Sequence, residues 1–164
     1  MKTLTLYDTK SKSKKEFVSL KKNEVSMYVC GPTVYDQLHI GNFRGAIFFN
    51  FVREQLEFLG YKVSYVYNFT DVDDKIIKRA NEMGIRIDEL TKQTIQQFQA
   101  DFNALGLREH SHNPTCTGYM QKIIDYVEEL VDAGFAYEAN AHVFFDINKL
   151  DSYGSLSHKS IEDL

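Results

Sequence analysis

The sequence predicts an α/β fold in which helices flank a parallel sheet. Short segments rich in β-branched and aromatic residues alternate with longer segments of helical periodicity over residues 25–105. Strands that are separated by helices pair in parallel. At 164 residues, with 43% hydrophobic content, the chain is long enough for one sizeable core. The expected core is therefore a Rossmann-type sheet with helices on both faces.

A cluster of lysines precedes the first of these strands. Its members are Lys10, Lys12, Lys14, Lys15, Lys21 and Lys22. Residues 17–20, Phe-Val-Ser-Leu, are predicted to form a hairpin strand beside them. Loops collect charge and the net charge of the chain is −4, so a solvated turn is the favoured interpretation. Contact with nucleic-acid phosphates is the alternative.

Residues 25–29 are predicted to form a strand that ends at Cys30, where a Gly-Pro pair follows. After Gly41 the apolar residues recur at steps of three and four, which predicts a helix. Gly60 is expected to end this helix. The predicted apolar stripe of this helix consists of Phe43, Ile47, Phe48, Phe51, Val52, Leu56 and Leu59.

The turn between this strand and helix has the features of a phosphate site. A helix that starts near Asn42 would direct backbone N–H groups and the positive end of its dipole at one point. Gly41 has no side chain and permits close approach of a polyphosphate, while the imidazole of His39 can donate a hydrogen bond to a charged oxygen.

The later elements follow the same rules. Residues 62–70 are predicted to form a second strand, which leads into a helical segment that continues to Ala80. Helical stripes are predicted over 87–105 and 119–131, the second ending at Gly134. Residues 135–138 and 142–146 are predicted to form a hairpin around Asn140.

Two polar clusters each allow a structural and a functional interpretation. Asp71, Asp73 and Asp74 precede a helix, and capping explains them better than a magnesium site without the glycine and distal glutamate of an EF-hand. Thr70 is either a cap or a site residue. His110, His112 and Cys116 have possible metal spacing, but the loop around Pro114 disfavours a second zinc site. His142 and His158 have no assignable carboxylate partner and are expected to be structural or exposed.

One stretch carries a family signature. Cys30-Gly31-Pro32-Thr33-Val34-Tyr35-Asp36 followed by His39-Ile40-Gly41-Asn42 resembles the amino-terminal signature of the cysteinyl-tRNA synthetases, which are class I enzymes. The resemblance continues through the second strand and its helix, and it weakens beyond about Gly106. In place of the second His of the family's His-Ile-Gly-His motif, this chain has Asn42, whose amide still donates hydrogen bonds.

The resemblance implies a role for seven residues. These are Cys30 as a zinc ligand, Gly31 and Thr70 as substrate-binding residues, and Thr33, His39, Gly41 and Asn42 as ATP-binding residues, with His39 and Asn42 as the catalytic pair. The implied substrates and partners are L-cysteine, ATP with Mg²⁺, and tRNA(Cys). Zinc suits this substrate because a thiolate is a good zinc ligand and the hydroxyl of serine is a poor one, whereas an apolar pocket separates such near-isosteres by only about 1–3 kcal/mol.

A catalytic zinc site takes three protein ligands, and this chain shows one in a convincing context. In the family, the other ligands and a second ATP motif lie in the carboxy-terminal half of the catalytic domain. The resemblance therefore implies that residues 1–112 are the first half of the nucleotide-binding domain and that 113–164 begin an inserted α+β connective domain. On this hypothesis the chain is a fragment and inactive alone.

Composition completes the expectations. Two cysteines, Cys30 and Cys116, do not make a disulfide framework, and no apolar run is long enough for a membrane span or a secretion signal. A cytoplasmic monomer is expected. Two alternatives stay open: the related ligase that joins cysteine to an amino sugar, against which the Gly-Pro-Thr-Val-Tyr segment argues, and a non-catalytic binding module.

Overall fold

The computed structural model describes residues 4–160, and its elements alternate largely as predicted. The strands are β1 (Thr5–Asp8), β2 (Ser13–Glu16), β3 (Glu24–Val29), β4 (Lys62–Tyr67), β5 (Ala136–Ala139) and β6 (His142–Phe145). The helices are α1 (Ile40–Phe58), α2 (Asp74–Met83), α3 (Ile87–Ala104) and α4 (Met120–Asp132). They form two compact units, one of residues 19–119 and one of residues 4–18 with 120–160. The predicted boundary between 112 and 113 stays a prediction.

The larger unit is built on a parallel sheet, as the sequence predicts. β3 pairs in parallel with β4, from Glu24 opposite Lys62 to Val29 opposite Tyr67, and α1 makes the connection between them. On its other side, Val66 of β4 bridges in parallel to His112, and Phe69, two residues beyond β4, bridges in parallel to Thr115. β4 is thus the central strand of this part of the sheet.

Aromatic side chains fill the core between the sheet and the helices. Phe98 of α3 stacks on Phe43 of α1, with ring centroids 5.3 Å apart, and on Tyr67 of β4 at 5.7 Å. Phe69 meets the same ring edge-on at 5.2 Å. These buried rings join α1, α3 and β4 into one core, because each aromatic residue removes a large apolar area from water.

The buried face of α1 differs from the predicted stripe. Phe43 and Leu56 are buried as expected, but Ile47, Phe48 and Phe51 are 40%, 56% and 55% exposed. The helix carries apolar residues on most of its circumference, so periodicity alone does not select the buried face.

Two polar residues of α1 are buried in place of the exposed part of that stripe. Asn50 and Arg53 are 6% and 4% exposed, and Arg53 donates to the Asn50 side chain. Its guanidinium also donates to the backbone carbonyls of Arg108 and Glu109, at 2.9 and 2.7 Å. Because these carbonyls satisfy part of its donor set, the buried cation is tolerated.

The acidic triplet divides into two roles. Asp73 caps α2, since its carboxylate accepts from the backbone N–H of Lys75 at 2.8 Å, and Asp74 lies in the first turn. The capping prediction is wrong for Asp71, which is 6% exposed and accepts hydrogen bonds from the backbone N–H and hydroxyl of Thr117. A buried carboxylate that holds a distant turn is a tertiary contact that local spacing cannot reveal.

The smaller unit consists of two hairpins and α4. β5 pairs antiparallel with β6 around Asn140 and Ala141, whose φ angles of 51° and 62° close a two-residue turn as predicted. β1 pairs antiparallel with β2, which runs over residues 13–16 and not over the predicted 17–20. All four side chains of β2 are exposed, so it carries no apolar alternation that would mark it as a strand. Within residues 4–160, none of the helices combines the length and apolar character of a membrane span.

Candidate active site

The candidate site lies where β3 and β4 end. The two backbone segments that follow these strands remain paired with each other. Thr70 donates its backbone N–H to the carbonyl of Pro32 at 3.0 Å, and its own carbonyl accepts from Val34 at 3.1 Å. Thr33 and Thr70 are thereby parallel bridge partners. Three of the predicted site residues, Gly31, Thr33 and Thr70, therefore lie on two adjacent backbone segments.

Asn68 joins these segments through its side chain. Its Oδ1 accepts from the backbone N–H of Gly31 at 2.9 Å, and its Nδ2 lies 3.3 Å from the hydroxyl of Thr70. The sequence prediction missed this residue. The available signal was a lone amide at the end of a segment otherwise rich in β-branched and aromatic residues.

Gly31 is required by this close pairing. A Cβ placed on it would lie 1.7 Å from the backbone oxygen of Asn68 and 3.1 Å from the ring of Tyr67. No side chain fits at such a distance from backbone. Glycine thus lets the segment that carries Cys30 lie directly against the end of β4.

Cys30 presents a free and exposed thiol at the end of β3. Its sulfur makes a weak hydrogen bond to the carbonyl of Gly31, at 3.7 Å. Burial, and secondarily the charge of Cys30, raises the pKa of the neighbouring Tyr67 to about 12, so this phenol stays protonated at neutral pH. An exposed thiol outside any disulfide is accessible to a metal ion.

The zinc hypothesis can be compared with the donor set of the described chain. Across residues 4–160, no three or more His, Cys, Asp or Glu side chains lie close enough together to hold a metal ion. The assignment of Cys30 as a zinc ligand stays a prediction.

A second cluster forms the start of α1. The backbone N–H of Gly41 donates to Nδ1 of His39 at 3.0 Å, while the backbone N–H of His39 donates to Oδ1 of Asn42 at 3.0 Å. This is a capping box in which His replaces the usual Ser or Thr. A Cβ on Gly41 would lie 2.8 Å from Cε1 of His39, so glycine also makes room for the folded-back imidazole.

The capping box fixes the tautomer of the neutral His39 ring. Because Nδ1 accepts a backbone N–H, the neutral ring carries its proton on Nε2, which is then a donor. The N–H groups of Gly41 and Asn42 are already paired, the second with the carbonyl of His39 at 2.9 Å. Nε2–H of His39 and the side-chain NH₂ of Asn42 are two side-chain donors at this point.

Helix α2 holds the segment that connects the two clusters. The guanidinium of Arg79 lies 3.6 Å from the carboxylate of Asp36, and the ammonium of Lys75 lies 5.8 Å from the centre of the Tyr35 ring. Both contacts are partly exposed and individually modest. Together they restrain the segment between Thr33 and His39.

His110, His112 and Cys116, the other residues with possible metal spacing, lie in different environments. His110 stacks on Tyr67 with centroids 4.6 Å apart, and its Nδ1 lies 3.2 Å from the amide nitrogen of Asn113. Burial and the nearby charge of Arg53 lower the pKa of His110 to about 4. His112 is exposed, with its backbone paired to β4, and Cys116 is half-buried.

Residues 16–164 match the family model of the tRNA synthetases class I (C) catalytic domain. The chain belongs to this family. The family prediction made from the Cys30–Asn42 signature is thereby confirmed. The class I (C) domain extends over both the strand ends and the His39 cluster.

Relatives of this class I (C) domain include proteins named cysteine–tRNA ligase. That of Streptococcus mutans serotype c is 48% identical over 161 residues, 98% of this chain and 36% of the relative. That of Bacillus licheniformis is 47% identical over 162 residues, 99% of this chain and 35% of the relative, and that of Bdellovibrio bacteriovorus is 50% identical over 161 residues, 98% and 33%. The chain thus spans about a third of the length of these relatives.

A solved structure with a similar fold is the LeuRS of Agrobacterium radiobacter K84, in a ternary complex with tRNA and LeuAMS. The match has a TM-score of 0.56 and 20% sequence identity, and it covers 68% of this chain and 15% of the other. With the parallel β3–β4 pair, it confirms the Rossmann-type prediction for this class I (C) domain.

Proposed function

We propose that this chain forms the amino-terminal part of a cysteine–tRNA ligase, which activates L-cysteine with ATP and transfers it to tRNA(Cys). The observation that carries the proposal is the exposed Cys30 thiol at a strand end whose neighbour Gly31 is tied to Thr70 through Asn68. The His39 cluster follows nine residues along the chain. Thiol recognition and anion binding are the two requirements of cysteine activation.

In the proposed reaction, the His39 cluster binds the phosphates of ATP. Nε2–H of His39 and the NH₂ of Asn42 donate hydrogen bonds to phosphate oxygens, near the positive end of the α1 dipole. Both groups are held by the capping box before ATP arrives, so they stabilise the charge that develops as pyrophosphate leaves without having to reorganise. Mg²⁺ accompanies the ATP as part of the substrate.

At the strand ends, Gly31 and Thr70 line the amino-acid pocket and Thr33 lies toward the nucleotide. Cys30 supplies one ligand to zinc. When bound, zinc would discriminate in favour of the substrate thiolate and against the serine hydroxyl. The Gly31 backbone keeps Cys30 at the end of β3, close to the Thr70 side of the pocket.

The remaining parts of the proposal concern the whole protein. Residues 1–112 form the first half of the nucleotide-binding domain and 113–164 begin the connective domain. The protein acts as a monomer in the cytoplasm, and its other zinc ligands come from the two thirds of the relatives' length that this chain does not span.

The decisive experiment replaces Cys30 by Ser in the full-length protein. Discrimination between cysteine and serine in ATP–pyrophosphate exchange should fall by about two orders of magnitude or more, since only an apolar-pocket difference of about 1–3 kcal/mol would remain. Cys116→Ser is the matched control and should leave discrimination unchanged. If Cys30→Ser still discriminates like the wild type, Cys30 is not a zinc ligand.

The same assay tests the fragment hypothesis. The isolated 164-residue chain should show no cysteine-dependent exchange, because it supplies one zinc ligand and one of the two ATP motifs expected for the family. Robust exchange by the purified chain would overturn the requirement for further sequence.

A further inference from the structure

We propose that Asn68 is a positioning residue that fixes the direction of the Thr70 hydroxyl, so that Thr70 offers an O–H donor to the carboxylate of the bound amino acid. This inference rests on the proposed function, because it concerns the same pocket. It assigns to Asn68 a role that acts through Thr70 and not by contact with substrate.

The orientation of the Asn68 amide follows from its backbone partner. The N–H of Gly31 can only donate, so the side-chain atom 2.9 Å away must be the oxygen Oδ1. The NH₂ group then faces the hydroxyl of Thr70 at 3.3 Å. Since an amide NH₂ can only donate, the Thr70 oxygen is the acceptor of this hydrogen bond.

This bond determines what Thr70 has left to offer. Its backbone N–H and C=O are already paired with Pro32 and Val34. The hydroxyl is therefore its remaining polar group, and its single proton points away from Asn68. A ligand atom that meets this proton must be an acceptor, and the carboxylate is the strongest acceptor of a free amino acid.

The same amide also sets the spacing of the pocket. One end of Asn68 holds the residue after Cys30, and the other end holds Thr70. A single planar group thus links the thiol side and the hydroxyl side. Its loss should weaken amino-acid binding without a comparable effect on ATP, whose proposed contacts lie at His39 and Asn42.

The test is a double-mutant cycle in the full-length enzyme, measured by cysteine-dependent exchange. Asn68→Asp keeps the acceptor for Gly31 but cannot donate to Thr70, so the Thr70 proton turns toward the new carboxylate. The KM for cysteine should rise about tenfold or more, the scale of one hydrogen bond to a charged group, while the KM for ATP stays within about twofold.

Thr70→Val should raise the KM for cysteine by a similar factor, and Thr70→Ser should leave it nearly unchanged. The double variant Asn68→Asp/Thr70→Val should be no worse than Thr70→Val within about twofold, because Asn68 acts through the hydroxyl. Multiplicative effects, or an unchanged KM in Asn68→Asp, would overturn the inference.

Asn113→Asp is the matched control, since the Asn113 side chain also donates to this region but to the carbonyl of Tyr67, at 2.7 Å, and not to Thr70. It should lower the melting temperature and leave the KM for cysteine unchanged. A KM increase equal to that of Asn68→Asp would show a general structural effect and overturn the inference.

Inhibition by cysteinol, which lacks the carboxylate, keeps the inference falsifiable if Asn68→Asp does not fold. Thr70→Val should weaken the binding of cysteine about tenfold. It should weaken the binding of cysteinol, as a competitive inhibitor of the exchange, by less than about threefold. Equal losses of affinity for the two compounds would overturn the assignment of the carboxylate.

The failure of this inference can be distinguished from the failure of the proposed function. A wild-type enzyme without cysteine-dependent exchange would contradict both. An active wild type with an unaffected Asn68→Asp variant would contradict only the inference.

Discussion

Among the described glycines, Gly31 leaves the least room for a Cβ. A Cβ at this position would overlap the backbone oxygen of Asn68, so the ends of β3 and β4 must separate to accept it. We expect Gly31→Ala to lower the free energy of unfolding by about 3 kcal/mol or more. Gly45→Ala is the control, since nothing lies within 4 Å of its Cβ and helix propensity should stabilise it by up to about 1 kcal/mol. Urea denaturation followed by circular dichroism measures both, and equal effects would contradict the overlap argument.

His110 makes stability depend on pH. Its pKa is about 4 in the folded chain and about 6.5 in the unfolded chain, because burial disfavours the charged ring. The unfolded state therefore binds more protons between these values. The stabilisation is fully present above pH 6.5 and is lost as the pH falls toward 4. We expect this residue to contribute a loss of about 2 kcal/mol over that range.

His110→Phe should keep the stacking on Tyr67 and flatten the pH dependence between 6.5 and 4. His142→Gln is the control, because this ring is exposed on β6. Denaturant titrations at pH 7 and pH 4.5 measure the difference for each variant. A slope in His110→Phe equal to that of the wild type would assign the acid sensitivity to other groups.

At the scale of elements, the start of α1 combines a cap and a proposed phosphate site. The acceptor Oδ1 of Asn42 serves the cap, and its NH₂ is the proposed phosphate donor. The two roles can be separated because aspartate retains the acceptor and lacks the donor.

We expect Asn42→Asp to retain the stability of α1, since a carboxylate accepts from His39 and complements the helix dipole. Asn42→Ala should cost about 1 kcal/mol. In the full-length enzyme both variants should raise the KM for ATP, the aspartate more strongly through charge repulsion. An Asn42→Asp variant with normal ATP binding would exclude the amide as a phosphate donor.

Elements governed by local rules were predictable from the sequence. The β3–α1–β4 order, the Asp73 cap and the turn at Asn140 depend on neighbouring residues, and each is present. β2 was missed because its exposed polar side chains show no alternation. Asn68 was missed because its partner Gly31 lies 37 positions away and becomes a neighbour only when the strands pair. The buried face of α1 likewise depends on the carbonyls of 108 and 109.

At the scale of the molecule, the exposed part of α1 is the largest departure from the predicted core. Ile47, Phe48 and Phe51 share a surface with Ile40 and Arg44 around an open cavity. Exposed apolar patches of this kind bind hydrophobic dyes. The surface lies on α1, the helix that His39 caps, so it belongs to the same element as part of the candidate site.

We expect the isolated chain to bind 1-anilinonaphthalene-8-sulfonate at this surface. The double variant Phe48→Ser/Phe51→Ser should reduce the fluorescence severalfold and leave the melting temperature nearly unchanged, because both rings are more than half exposed. Tyr137→Ser, on the exposed face of β5, is the control and should change the signal little. Unchanged fluorescence in the double variant would place the dye elsewhere.

The contrast between Cys30 and Gly31 bears on how such a site can change during evolution or by engineering. One position bears a solvent-facing group that can be exchanged for other chemistry at small cost to folding, while its immediate successor admits no substituent at all. On the proposed role of Cys30, new specificities should therefore arise by varying Cys30 and its surroundings while Gly31 is kept. In a library that randomises both positions together, most variants would carry a side chain at position 31 and would be destabilised.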